Sequence, residues 1–277
     1  WYSVVSNTVP GRRAIGPHLK SGAEITVSTT PVDRDAARSL GIMQVSDQGQ
    51  VLQFVEKPDE DTVLDGLAVN DRQDAFLASM GIYVFNMDVL CSLLEKNNQT
   101  DFGKHIIPEA IHSQRVFSHV FKGYWEDIGT IRSFWEANLA LTEPVPRFSF
   151  YDMDQLIYTR MRYLPPSKVN SCELVQSLIS DGCILSGKRI WRSVVGLRSV
   201  VGEGSMVEES ILMGADFYEQ NRASHASGIA LGIGRDCTIR KAILDKNVRI
   251  GNEVVITPDG KPDEVDEDLF CIRDGIV

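Results

Sequence analysis

The sequence has no apolar run approaching the roughly 20 residues that cross a bilayer, so no transmembrane helix is expected and the chain is read as soluble. Cysteine is scarce. The five present (Cys91, Cys172, Cys183, Cys237, Cys271) are odd in number, widely spaced and without a C-x-x-C pair. Neither a disulfide framework nor a zinc site is therefore indicated, and a reducing compartment fits. Basic charge is also in deficit: 28 Lys and Arg stand against 38 Asp and Glu, a net charge of -10. That excludes a broad nucleic-acid or anionic-membrane face, which needs clustered Lys and Arg, and any bound phosphate must be held locally. The first residue is Trp1, and no charged-then-apolar signal pattern follows it, so the chain is expected to be incomplete. What remains is 277 residues, 43% hydrophobic and 24% charged, enough for two ordinary cores.

The first half alternates strand and helix signals. Residues from Ala23 read as a β-branched strand closed by Pro31, followed by a helical turn over Asp33 to Leu40. Gly41 to Val45 and Gln50 to Val55 flank Asp47-Gln48-Gly49, a hairpin whose second strand delivers Glu56, Lys57 and Pro58. Asp59 to Asp74 is acidic and reads as a surface loop, and Pro10-Gly11 as a turn. Phe76 to Phe85 is strand-like. Met87 to Glu95 is helical and stops at Asn97-Asn98. A short helix over Lys104 to His112 and a strand over Arg115 to Phe121 follow. Ile131, Phe134, Trp135, Asn138 and Leu139 then keep a helical period behind Thr130 as cap. Such alternation indicates an α/β domain.

From about Ser167 the pattern changes. Leu178, Ile184 and Ile190 lie six apart, as do Val194, Val200 and Met206, and the rhythm returns at Ile233, Ile239, Leu244, Ile250 and Ile256. Ser193, Ser199 and Ser205 repeat beside this ladder, where tight positions are expected. A six-residue period is the mark of a parallel β-helix.

Several residues carry candidate chemistry. Lys57, at a strand end, offers a point charge for a phosphate, and Glu56 can accept sugar-hydroxyl hydrogen bonds. Alone, the tripeptide reads as an ordinary exposed ion pair. Tyr124-Trp125-Glu126-Asp127 sets aromatic rings beside carboxylates: Trp125 can stack on a sugar, and Asp127 can ligate Mg²⁺ or simply favour the next helix N-terminus. Ser79 and Tyr83, and Asp101 and Phe102 within Thr100-Asp-Phe-Gly103, complete the set. His105, His112 and His119 fall seven apart, but they cross from helix to strand, so no metal array is expected.

Taken in order, Phe54-Val-Glu-Lys-Pro58, Ala78-Ser-Met-Gly-Ile-Tyr83, Asp101-Phe-Gly103, Tyr124-Trp-Glu-Asp-Ile-Gly-Thr130, Arg162-Tyr-Leu-Pro-Pro-Ser-Lys168 and Met213-Gly-Ala-Asp216 closely resemble the glucose-1-phosphate adenylyltransferase (ADP-glucose pyrophosphorylase) family. Ser193-Val-Val-Gly-Leu-Arg-Ser199 and Asp245-Lys-Asn-Val-Arg-Ile-Gly251 extend the likeness, which runs from about His18 to Val277. It implies an α/β nucleotidyltransferase domain, incomplete and with a Rossmann-like mixed sheet, followed by a left-handed parallel β-helix. The division implied is 1–17 unmatched, 18–145 nucleotidyltransferase, 146–168 linker and 169–277 β-helix. The implied reaction makes ADP-glucose and pyrophosphate from ATP and glucose 1-phosphate, in a homo- or hetero-tetramer of the bacterial cytoplasm or plastid stroma.

By motif position, the resemblance gives Lys57 the sugar phosphate and Glu56 and Ser79 the glucose hydroxyls. Tyr83, Asp101, Phe102 and Trp125 shape the pocket. Asp127 is one of two carboxylates on Mg²⁺, and Lys246 matches a lysine implicated in binding small-molecule effectors, although a solvated corner lysine fits it equally.

The sequence also departs from the family. The Gly-rich loop with its catalytic arginine has no counterpart in the α/β half, and Arg12 and Arg13 are read as a solvated basic turn. The nucleotide-binding half is thus expected to be missing and the chain alone inactive and aggregation-prone. One alternative is a non-catalytic regulatory or structural subunit. Another sugar-1-phosphate nucleotidyltransferase is a second alternative. A hexapeptide-repeat acyltransferase is disfavoured, because the single histidine near the coils, His225, lies in an insertion.

Overall fold

The computed structural model describes residues 4–5, 10–69, 75–96, 101–151, 160–219 and 228–277. Asn97, Asn98, Thr100 and His225 lie outside the described residues. The chain divides into two compact units, one holding Val5–Trp125 and the other Glu126–Tyr151 and Tyr158–Val277. No helix among the described residues is long and apolar enough to cross a membrane.

The first unit is built on a mixed five-stranded sheet. Its strands are β1 (Ile25–Val32), β2 (Gly41–Val45), β3 (Val51–Glu56), β4 (Phe76–Phe85) and β5 (Val116–Val120), in the order β3-β2-β4-β1-β5. Only β1 and β5 pair in parallel; the other neighbours are antiparallel. β1 runs through Pro31 to Val32, because its ladder with β5 stops at Thr29 and leaves the proline nothing to donate on that side. One face packs Ile25, Val27, Met43 and Phe54 against Val89, Leu93, Ile106 and Ile107. The other packs Ile42, Phe76 and Ala78 against Leu64 and Leu67.

Two sequence expectations change here. Pro10-Gly11 opens α1 (Pro10–Ser21) instead of a turn; proline is tolerated in a first helical turn, where its missing N–H has no partner to lose. The helix is held by His18, buried, whose Nδ1 lies 2.8 Å from Thr26 Oγ1 and Nε2 3.1 Å from Asn86 Oδ1. Within the acidic stretch, Asp61–Leu67 is a helix with Leu64 and Leu67 buried. Its acids are paired: Arg34 reaches Asp65 at 2.7 Å, and Arg38 pairs with Asp61.

The second unit is a parallel β-helix with three flat faces. Leu178–Ile179, Val194–Val195, Ile211–Leu212 and Ile243–Leu244 stack on one face. Lys168–Val169 to Arg249–Ile250, and Glu173–Val175 to Val255–Ile256, form the other two. All neighbours on these three faces are parallel, Leu178 aligning with Val194 and Val194 with Ile211. The core ladder is Leu185, Ile190, Val195, Val201, Val207 and Leu212, continued by Ile233, Ile239, Leu244 and Ile250. In the first block the ladder is thus one residue later than the hexad reading at every position but Ile190, and Ile184 is 40% exposed. Apolar doublets are the cause, since adjacent strand residues face opposite sides and only one of each pair turns inward.

The serines do occupy tight corners. Ser193, Ser205 and Ser210 are fully buried. The G-x-G pairs Gly202/Gly204 and Gly232/Gly234 are also coil features: a side chain on Gly202 would run into the Gly234 carbonyl of the next coil. Helix Ile131–Ala140, capped by Thr130 in a reciprocal box with Ser133, belongs to this unit. Trp135 Nε1 donates to the Glu209 carbonyl at 2.7 Å, and Arg192 spans Glu143 at 3.4 Å and Glu209 at 2.8 Å.

Candidate functional site

β3 pairs with β2 as far as Glu56 opposite Gly41, and there the chain turns. Lys57 takes φ 50°, the one non-glycine positive φ among the described residues of this unit, while its N–H still donates to the Leu40 carbonyl at 3.0 Å. A left-handed residue with a Cβ is costly. It ends the strand abruptly and leaves the exposed Lys57 beside Glu56.

The Glu56 side chain folds back over two glycines. Its Oε2 lies 2.6 Å from where a Cβ on Gly41 would stand and 2.9 Å from where one on Gly103 would stand. Partial burial raises its pKa, and the Asp101 carboxylate raises it further, against the opposing pull of Lys57 and Lys104. Asp101 accepts from Lys104 N–H at 2.9 Å and caps the π-helical turn Phe102–Ile106. Backbone hydrogen bonds from Lys104 and Gly103 hold Asp101 below the usual carboxylate range.

A bulge in β4 sets the next two groups. Thr29 aligns with Ser79 and Val27 with Tyr83, so a single β1 residue faces three on β4, where Gly81 takes φ 68°. Ser79 is buried and accepts from Gly81 N–H at 3.2 Å. Burial pushes the Tyr83 phenol up; a hydrogen bond with the Ser79 hydroxyl pulls the other way, and the Glu56 and Asp101 charges add to the rise. The Tyr83 ring stacks on Phe102, with centroids 5.8 Å apart at 21°. One wall thus brings together Glu56, Lys57, Ser79, Tyr83, Asp101 and Phe102, with Lys104 and Gly41 as members that motif reading passed over and Gly103 as one it quoted without a role. Two amines, two carboxylates and a rigid aromatic pair suit a small polyhydroxylated anion.

Trp125 lies in the short strand Trp125–Glu126 with its indole Nε1 buried and without an acceptor among the described residues. Asp127 falls in the other unit, exposed, its carboxylate turned over Gly129. No group of three or more His, Cys, Asp or Glu residues among the described residues could hold a metal ion. Asp127 therefore offers one hard oxygen donor, which fits Mg²⁺ only where water and substrate phosphates fill the other positions. Lys246 sits in the β-helical unit with Nζ 2.9 Å from Asp216 Oδ1, and Asn247 Nδ2 donates to Asp216 Oδ2 at 2.9 Å. These two bonds lower the Asp216 pKa. Lys246 is therefore an exposed corner lysine that is also paired with Asp216.

Comparison with known families also divides the chain in two, with a boundary later than that of the compact units. Residues 9–144 match a family described as nucleotidyl transferase, and residues 162–277 match the GLGC left-handed parallel beta-helix domain. The succession is that of a sugar-phosphate nucleotidyltransferase and matches the architecture of the ADP-glucose pyrophosphorylase family.

Proposed function

We propose that the protein joins glucose 1-phosphate to the adenylyl group of ATP, forming ADP-glucose and releasing pyrophosphate for glycogen or starch synthesis. The observation that carries this is the wall at the end of β3, where Lys57 adjoins the half-buried Glu56 carboxylate opposite Asp101 and Tyr83. In this reading a phosphate oxygen of the sugar attacks the α-phosphorus of ATP; the new P–O bond forms as the α–β anhydride bond breaks. Lys57 holds the attacking phosphate, Glu56 and Ser79 accept from or donate to glucose hydroxyls, and Trp125, Tyr83 and Phe102 border the ring. Catalysis then rests on positioning and charge neutralisation, with little proton transfer for the protein to perform. Mg²⁺ supplies part of that neutralisation when bound, and Asp127 contributes one oxygen to it. A tetramer, homo- or hetero-, regulated by small-molecule effectors at Lys246, completes the proposal.

The test is calorimetric titration of the full chain with glucose 1-phosphate, alongside an assay of ADP-glucose formation with ATP and Mg²⁺. Binding that is lost in Lys57→Ala supports the site. Binding without turnover favours a non-catalytic subunit. Equal affinity for mannose 1-phosphate would remove the glucose assignment.

A further inference from the structure

We propose that Gly103 is a positioning residue: by lacking a side chain it holds the Glu56 carboxylate in the one place from which it can reach the sugar. The inference rests on the sugar-site reading above and extends it to a residue with no polar group of its own.

A Cβ on Gly103 would stand 2.9 Å from Glu56 Oε2 and 3.4 Å from its Cδ, while the next atom, Asp101 Oδ1, is at an ordinary 3.6 Å. The collision is therefore with the far end of one flexible side chain and nothing else. Gly103 does not take a positive φ, and it lies within a helical turn, where alanine is favoured over glycine. Gly41 makes a less specific probe, because a Cβ there would also strike the Phe54 ring at 2.5 Å. At Gly103 the fold has no reason of its own to exclude alanine. The carboxylate does.

Displaced by alanine, Glu56 would swing away from Asp101 and Tyr83 toward water. The groups facing it are Lys57, Lys104, Asp101 and Tyr83. Substitution at Gly103 should accordingly separate ligand recognition from stability, a split that a residue needed for packing does not give.

Three variants of the full chain test this: Gly103→Ala, Glu56→Asp and the double variant. Gly103→Ala is expected to keep or raise the melting temperature while weakening glucose 1-phosphate binding about tenfold or more, as for a lost hydrogen bond to a charged group. The shorter aspartate relieves the collision, so the double variant is expected to bind better than the product of the two single losses predicts. Unchanged affinity in Gly103→Ala, or strictly multiplicative losses, overturns the proposal. Absence of binding by the unsubstituted protein removes the sugar-site reading instead. In that event carbon-13 NMR of the Glu56 carboxyl decides the position without any ligand. Its titration should fall toward the ordinary glutamate range in Gly103→Ala, and an unmoved titration overturns the proposal.

Discussion

Trp135 donates its indole N–H to the carbonyl of Glu209 at 2.7 Å, fastening helix Ile131–Ala140 to a corner of the β-helix. Glu209 itself takes φ 46°, and its carboxylate pairs with Arg192 at 2.8 Å. Arg132 adds a bond to the Asp274 carbonyl at 2.5 Å.

Trp135→Phe keeps most of the ring packing and removes the donor, leaving the Glu209 carbonyl without its indole partner. The expected cost is about 1 kcal/mol in urea unfolding. An unchanged midpoint would mean that apolar contact through Ala137 and Leu139 carries the attachment.

The corner serines of the β-helix act as a chain of relays. Ser193 N–H donates to Ser177 Oγ at 3.3 Å, Ser210 N–H to Ser193 Oγ at 3.1 Å, and Ala242 N–H to Ser210 Oγ at 3.2 Å. Ser210 Oγ in turn donates to the Glu208 carbonyl at 2.7 Å. Ser210→Ala strands a buried N–H and is expected to lower unfolding free energy by about 1–3 kcal/mol. Ser210→Cys should be milder, since Cys183 and Cys237 already fill buried corners with Sγ donating to carbonyls at 3.2 and 3.1 Å. Equal losses in the two variants would show that size, not hydrogen bonding, matters at the corner.

Lys57 carries a backbone penalty that glycine would not. Lys57→Gly removes the Cβ from a left-handed residue, whereas Lys57→Ala keeps it. The glycine variant is expected to be more stable than the alanine variant by about 1 kcal/mol, and both to lose glucose 1-phosphate binding. Alanine matching glycine in thermal unfolding would show that the turn is unstrained.

How much of this was legible in the sequence depends on what each signal needs. The six-residue rhythm is local and announces the coil, but its phase is hidden wherever doublets such as Val194-Val195 and Val200-Val201 offer two equally apolar choices. The helix Asp61–Leu67 was obscured by its acids, whose partners Arg34 and Arg38 lie more than twenty residues upstream. Glu56 and Lys57 were visible as a motif at a strand end. Gly41 was not, and Gly103 was visible only within a motif and without a role, because a glycine's meaning lies in the side chain that occupies its vacant space, and that side chain, Glu56, comes from β3.

Glu56 also makes the stability of the α/β unit depend on pH. Its folded-state pKa is raised, first by burial and then by Asp101, so the fold binds the proton more tightly than the unfolded chain does. The associated stability is full below the ordinary glutamate range and is lost as pH rises through the folded value. At neutral pH the ionised carboxylate therefore works against the fold. Glu56→Gln, uncharged and of similar shape, is expected to melt at a higher temperature than the parent at pH 7, with the difference closing as the pH falls below the usual carboxylate range. The same substitution should weaken glucose 1-phosphate binding, because the amide replaces one acceptor oxygen with a donor. Melting curves of the two proteins across pH 3 to 8 decide it: a pH-independent difference would mean that Glu56 is not the group whose charge the fold resists.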